Sequence, residues 1–275
     1  MPEGDTLERV ALRLGPALVG GVLTEIEAPR WPGLLPKAGE SVVSVRAVGK
    51  WLRVDFSGGL VLLSHLRMNG QWHLYRPGER WRRGRGAMRA RLANDRWEAV
   101  CFSAPIVEFH SAASADRRLG HLGPDLTGPT PDLDACVSAL GTLEPTTTVA
   151  EALLDQRVAA GIGNVYKSEV CWFERLDPFT PLAAIDPPLR LRLFDRAHRL
   201  LRANLGPGRR RTVAGGLAVY GRTGKPCRRC GAAIRSAVHT EHARRTYWCP
   251  GCQFVPGHGH QGTLGPDSPD QAIGK

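Results

Sequence analysis

The chain has no apolar run approaching the roughly 20 residues that a membrane-spanning helix needs, its longest short stretch being residues 60–63. That excludes a transmembrane protein. The start Met-Pro-Glu-Gly-Asp is acidic and carries no apolar segment, so it is not expected to act as a secretory signal. We therefore expect a cytoplasmic protein. Acidic charge is scarce: 26 Asp and Glu stand against 37 Lys and Arg, for a net charge of +11. Such an imbalance favours polyanionic partners, nucleic acid first among them. Evenly paired cysteine is lacking too, since the 7 cysteines leave Cys101, Cys136 and Cys171 scattered and place four others in two Cys-x-x-Cys pairs. This argues against a disulfide framework and for metal binding by the clustered four. What is present is an ordinary globular composition, 42% hydrophobic and 23% charged over 275 residues, enough for one large domain or two ordinary ones.

Leu7, Val10, Ala11 and Leu14 recur at the spacing of one helix face, so a helix is expected just behind the N-terminus, with Asp5 or Thr6 as its cap. Residues 41–48, 52–56, 60–64, 71–75 and 97–103 are short and bounded by turn residues, which suggests a sandwich or barrel-like domain. Pro and Gly then crowd the chain at Leu122-Gly-Pro-Asp125 and Thr127-Gly-Pro-Thr-Pro131, where we place a hinge and domain boundary. Beyond it the pattern is helical. Thr148 can cap a helix running through Glu151, Leu153 and Leu154; others are expected over 165–173 and 189–204. The glycine-bearing turn 159–164 joins the first two in a helix-turn-helix geometry, and its last residue, Asn164, suits the cap of the second. Residues 209–245 hold ten Lys or Arg against Glu241, and 67–96 hold nine Arg against Glu79 and Asp95. A charge run is ordinarily a solvated face, but two in separate domains suggest one polyanion gripped from both sides. The tail, 255–275, is rich in Gly, Pro and His and is expected to be disordered.

Cys227, Cys230, Cys249 and Cys252 form C-x2-C-x18-C-x2-C, the spacing of a zinc ribbon. Four thiolates close a tetrahedral shell, so the metal would be structural. At the other end, methionine removal would expose Pro2 as a secondary amine, a nucleophile able to attack C1′ of a nucleotide sugar when uncharged; an α-amino pKa is near ~8, lower beside a helix N-terminus. Schiff-base chemistry at that carbon acidifies C2′ and permits strand cleavage by elimination. Glu3 is placed to protonate the opening sugar ring. A Pro-Glu start alone is weak evidence. Lys50, at a turn entering a strand, reads on its own as an ordinary surface charge. Arg244, five residues before Cys249, could place a guanidinium on a phosphate, and Arg245 has nearly the same claim. Asn164, behind Gly161 and Gly163, fits either a phosphate site at a helix N-terminus or a simple cap.

In order along the chain, Pro2-Glu3-Gly4, Gly49-Lys50, Ser64-His65-Leu66-Arg67-Met68, Leu122-Gly-Pro-Asp125, Leu154-Asp-Gln156 with Gly161-Ile-Gly-Asn164-Val-Tyr166, and Tyr247-Trp-Cys-Pro-Gly-Cys-Gln253 resemble the formamidopyrimidine-DNA glycosylase and endonuclease VIII family. The resemblance reaches from the start to about Gln253. It implies an α+β multidomain fold: an N-terminal catalytic β-sandwich with flanking helices over 1–121, a hinge and the start of the helical domain over 122–147, a helix-two-turns-helix domain over 148–220, and a four-cysteine zinc-finger β-hairpin over 221–254. It also implies one structural zinc and damaged DNA as partner, bound by a monomer between two lobes in the bacterial cytoplasm. Carried over by motif, Pro2 is the Schiff-base nucleophile and Glu3 the proton donor. Lys50 serves β-elimination, and Arg244 positions a phosphate and assists δ-elimination. Asn164 holds the DNA backbone near the lesion, while Arg67, Met68 and Asn69 fill the gap left by a flipped nucleotide.

Two shortfalls against the family bear on the substrate. Ala104-Pro-Ile-Val-Glu108 stands where purine-specific members carry an Asp-Pro-Arg-Arg-Phe type loop, and the stretch between Asn204 and Tyr220 leaves little room for a loop over oxidised guanine. With the Pro-Glu-Gly-Asp-Thr start, this resembles the second actinobacterial type of endonuclease VIII and implies oxidised pyrimidines. Thr6 stands where many members have glutamate, and His121 where arginine is frequent. The alternatives are a purine-lesion glycosylase of the same family and a non-catalytic zinc-ribbon DNA-binding protein.

Overall fold

The structure, a computed structural model, describes residues 2–238 and 244–257. The chain divides into two compact units, Met1–His121 and Leu122–Lys275. The first opens with helix α1 (Gly4–Leu18), whose N-cap is Glu3 rather than Asp5 or Thr6. Thr6 serves that cap from inside the helix, its Oγ1 accepting a hydrogen bond from the Glu3 backbone N–H at 3.4 Å. Strands β1 (Glu25–Glu27), β2 (Val42–Val48), β3 (Trp51–Phe56), β4 (Leu60–His65), β5 (Gln71–Tyr75), β6 (Met88–Ala93), β7 (Glu98–Phe102) and β8 (Ile106–Ser111) follow, and helix α2 (Ala112–Leu119) closes the unit.

These strands make two four-stranded antiparallel sheets, ordered β2-β3-β4-β8 and β1-β6-β7-β5. Leu52, Val54 and Leu62 from one sheet share a core with Trp72, Leu92 and Cys101 from the other and with Leu7, Leu14 and Leu18 of α1. Each large apolar side chain buried there contributes about 1.5–3 kcal/mol. Val19, just past α1, bridges Val42 at the start of β2, and α1 packs along β2 and β3. A 15-residue helix spans about 22 Å and a 7-residue strand about 23 Å. The strands that α1 packs along, β2 and β3, are joined by the turn that carries Lys50.

The second unit contains α3 (Leu133–Leu140), α4 (Val149–Leu154), α5 (Asn164–Phe173), α6 (Pro187–Arg202) and a hairpin of β9 (Arg235–Val238) with β10 (Arg245–Trp248). Thr148 caps α4 as expected, accepting from the Glu151 N–H at 3.3 Å while Glu151 accepts from the Thr148 N–H at 2.9 Å. The N-cap of α5 is Gly163, and Asn164 is its first helical residue rather than its cap. Val165, Tyr166, Val170, Cys171 and Trp172 bury α5 on every side, which makes it the central helix of the unit.

The Pro- and Gly-rich start of this unit, expected as a hinge, is hydrogen-bonded into it. Gly123 N–H donates to the Gln156 carbonyl at 2.8 Å and Ala160 N–H to the Pro124 carbonyl at 2.9 Å. A Cβ on Gly123 would meet the Arg157 carbonyl at 2.5 Å, so only glycine permits this approach. Helix α3 also falls within 122–147, the stretch assigned to the hinge and the start of the helical domain. Of the tail expected to be disordered, residues 258–275 lie outside the described residues.

Candidate functional site

In the N-terminal unit Pro2 immediately precedes the cap of α1, and Glu3 and Asp5 are both fully buried. The first turn of a helix suits carboxylates, because its backbone N–H groups lack intrahelical partners. Asp5 pairs with Arg9 at 3.7 Å. Lys50 sits in the turn from β2 to β3. Register then assembles the rest of this end of the sheet: Trp51 pairs with His65, and His65 with Ile106. Arg67, Met68 and Asn69 follow on the loop after β4, all exposed, Met68 at 61%.

The conformation of that loop has a local cause. Arg67 adopts φ +47, a region that costs non-glycine residues strain and is often seen at functional sites. Its N–H donates to His65 Nδ1 at 3.1 Å, and the Gly70 N–H closes back on the Leu66 carbonyl at 2.8 Å. A Cβ on Gly70 would meet Leu66 O at 2.6 Å and Ala104 Cα at 2.9 Å. His65 is thus a positioning residue to which motif reading assigned no role. Burial, then Arg67, Lys50 and Arg118, push its pKa down to about 4, which keeps Nδ1 an acceptor at neutral pH. Arg118 reaches this corner from α2, its guanidinium 5.1 Å from the Trp51 ring.

In the C-terminal unit Asn164 is 4% exposed and its side chain is committed. Nδ2 donates to the Arg245 carbonyl at 2.8 Å, and Oδ1 accepts from Lys167 Nζ at 2.7 Å; Nζ also donates to Thr246 Oγ1 at 2.7 Å. Asn164 and Lys167 therefore tie α5 to β10, and a phosphate at this place would be met by backbone N–H groups at the start of α5. Gln156 fixes the turn before it, donating to the Leu154 and Ile162 carbonyls at 2.8 and 3.0 Å and accepting from Gly161 N–H at 3.2 Å. Arg244 lines a cavity with Glu151, Asp155, Gln156 and Arg157. Arg245 instead points along the hairpin and donates to Ser236 Oγ at 3.1 Å.

The sulfur atoms of Cys227, Cys230, Cys249 and Cys252 all lie within 4.8 Å of one another, with Cys227 to Cys252 at 3.8 Å and Cys230 to Cys249 at 3.4 Å. Tetrahedral zinc with bonds of about 2.3 Å asks for sulfurs about 3.8 Å apart, so the four fit a structural zinc with no open position. Trp172 Nε1–H donates to Cys227 Sγ at 3.3 Å, and Arg229 stacks on the Trp172 ring at 3.9 Å while donating to Cys252 Sγ at 3.6 Å. Such outer contacts orient the thiolates.

Three family models match in succession: the formamidopyrimidine-DNA glycosylase N-terminal domain over residues 1–106, its H2TH domain over 122–212, and the zinc finger found in FPG and IleRS over 224–254. The chain is 42% identical over 264 residues to a probable endonuclease 8 2 of Streptomyces coelicolor, covering 93% of this chain and 95% of that protein. It is 37% identical over 262 residues to the DNA-(apurinic or apyrimidinic site) lyase Nei2 of Mycolicibacterium smegmatis, covering 92% and 99%. A crystal structure of Lactococcus lactis Fpg with an abasic-site DNA shares the fold, with a TM-score of 0.77 at 23% identity over 92% of this chain and 99% of that one. No helix among the described residues is long and apolar enough to cross a membrane.

Proposed function

Because this chain belongs to the formamidopyrimidine-DNA glycosylase and endonuclease 8 family, we propose that it is a bifunctional DNA glycosylase and abasic-site lyase for oxidised pyrimidines. The observation that supports the reading is the fully buried Glu3 capping α1 directly behind Pro2, on a helix packed along β2 and β3, whose connecting turn holds Lys50. There the Pro2 nitrogen attacks C1′ of a flipped nucleotide, and the base departs with its bonding electron pair as Glu3 protonates the opening sugar ring. The resulting iminium acidifies C2′. Loss of that proton, assisted by Lys50, expels the 3′ phosphate, and a second elimination, assisted by Arg244, expels the 5′ phosphate. Zinc holds the hairpin from which Arg244 extends, and takes no part in these steps.

Pyrimidine preference rests on two short segments. Only residues 103–105 join β7 to β8, too few to push two side chains into a duplex opposite a purine lesion. Between α6 and the zinc finger the chain is pinned at both ends: Arg211 N–H donates to Asn204 Oδ1 at 2.8 Å, and Glu169 accepts from the N–H groups of Ala218, Val219 and Tyr220 at 2.7, 2.9 and 2.9 Å. That leaves little slack for a cap over a larger base.

Borohydride trapping on duplexes with an abasic site, thymine glycol or oxidised guanine tests the reading. A covalent adduct is expected on the first two, lost in Pro2→Gly with DNA affinity largely kept. Faster trapping on oxidised guanine would make it a purine-lesion enzyme. No adduct on any substrate, despite tight binding, would make it a non-catalytic DNA-binding protein.

A further inference from the structure

Among the described residues strand β5 is an edge strand, hydrogen-bonded on one side only, to β7. Its first residue, Gln71, follows closely on the exposed loop of Arg67, Met68 and Asn69, so the strand leads away from the residues proposed to enter the lesion gap. Two other elements are fastened to it. From α1, Arg13 donates through Nη2 to the Trp72 carbonyl. From the loop after the strand, the Arg82 backbone N–H donates to the Tyr75 hydroxyl at 3.1 Å, and that hydroxyl also meets His73 Nδ1 at 2.7 Å. His73 Nε2 lies 3.0 Å from Gln71 Oε1. Side chains alternate along a strand, so Gln71, His73 and Tyr75 share one face.

Arg13, Arg82 and Arg83 are all exposed, and among the described residues none of the three makes an ion pair with a carboxylate. The acidic residue nearest Arg82 and Arg83 in sequence, Glu79, lines a shallow surface pocket with Trp81, Arg83 and Arg85 but makes no ion pair there, its carboxylate accepting from the Arg76 N–H at 3.0 Å. The cost of this crowding shows in two places. Arg13, exposed as a residue but with its guanidinium partly covered where it donates to the Trp72 carbonyl, is held below its ordinary pKa by that burial and by Arg82, and His73 below its own by burial and by Arg13, Arg82 and Arg83. Cations gathered without a counter-charge are stabilised by an anion.

We propose that Arg13, Arg82 and Arg83, gathered around His73 on the edge of β5, bind backbone phosphates of the DNA on one flank of the lesion. The inference rests on the DNA-repair reading above and extends it to a second grip within the N-terminal unit. From Gln71 to Tyr75 the strand advances about 13 Å. At about 3.4 Å of duplex axis per phosphate of one strand, the site meets linkages about three to five removed from the flipped nucleotide. No base is read there, so the contact adds affinity without lesion preference.

The test uses the full-length zinc-loaded protein and an Arg82→Ser, Arg83→Ser double variant, with Arg13→Ser as an independent arm. Binding is measured across salt concentrations on a duplex carrying a non-cleavable abasic analogue. Two lost phosphate contacts should lower the salt slope by about 1.8, with affinity at low salt about three- to tenfold weaker. Single-turnover cleavage of a natural abasic site at saturating protein should be unchanged, which separates this proposal from the catalytic reading. Neutral methylphosphonates at the third to fifth linkages, on either side in turn, should weaken wild-type binding on one side and leave the variants unaffected there. Unchanged salt slopes in both arms, or losses from substitution and methylphosphonate that simply add, would overturn the proposal. Weakened capture of an acidic protein with DNA binding intact would overturn it as well.

Discussion

At His65, burial and the cations Arg67, Lys50 and Arg118 act in one direction, holding its pKa near about 4 against an ordinary 6.5. The unfolded chain therefore binds more protons than the folded one between these values, and stability rises with pH across that window. The contribution is complete above pH 6.5 and is lost as pH falls towards 4. At about 1.4 kcal/mol per pH unit, reduced by solvent screening, the loss is on the order of 1–2 kcal/mol. Urea unfolding at pH 7 and pH 5 should show it in the wild type and not in His65→Gln; equal pH dependence in both proteins would remove His65 as the cause. The same substitution should loosen the loop, because Arg67 at φ +47 loses the acceptor that holds it. The sequence singles out Pro2, Glu3 and Lys50 as candidates but not this histidine, because a role exerted through one backbone N–H leaves no mark on composition or spacing. For Asn164, a residue type that suits a cap is used here to bind a hairpin 81 positions away.

Helix α5 organises the second unit through a single carboxylate at its middle. Glu169 is fully buried, and its two oxygens accept from three backbone N–H groups at 218–220 and from the Thr212 hydroxyl. In Glu169→Gln an amide NH2 would face donors where an acceptor stood, costing roughly 2–4 kcal/mol. Hydrogen exchange should then accelerate at 218–220 well before it changes in α4 or α6; uniform acceleration would show that Glu169 supports the whole unit instead. Elements whose cause is local were legible in advance: α4 has its capping box in Thr148 and Glu151, and α6 (Pro187–Arg202) answers to the helical pattern over 189–204, although its cap, Asp186, which accepts from Leu189 N–H at 2.8 Å, lies before that span. Strand β6 was not, because its alternation carries arginine where a polar, uncharged face would have signalled a strand. Arg91 is tied to Glu25 at 2.6 Å, Glu27 at 3.0 Å and Glu98 at 2.8 Å, joining β1, β6 and β7 by ion pairs that appear only after pairing. At the start of the second unit Pro and Gly at 123–131 announce the turns and the boundary after residue 121, but nothing local shows that Gly123 will donate to Gln156 or that Ala160 will pair with Pro124 and Leu126.

Across the whole molecule, the two units have separate cores, and the zinc site belongs to only one of them. Trp172, Ala218, Val219 and Ile234 pack with Cys227, Cys249 and Cys252 in one cluster, whereas the sandwich core contains no residue beyond Phe109. Removing zinc should therefore act on the second unit first. Metal binding and folding are coupled in such fingers, but this hairpin is also held by Asn164, Lys167 and Gln253, whose Nε2 donates to the Leu176 carbonyl at 2.8 Å. Partial loosening is expected rather than collapse. Chelation, or Cys249→Ser, should lower the transition that reports on Trp172 and leave the unfolding of the N-terminal sandwich in place, as hydrogen exchange resolved by region would show. Because Arg244, the proposed phosphate contact, directly precedes β10, affinity for abasic DNA should fall by more than tenfold with the metal, while imine trapping at high protein concentration persists through the proposed Pro2 nucleophile. A sandwich core that loosens together with the finger would show that the two units fold as one.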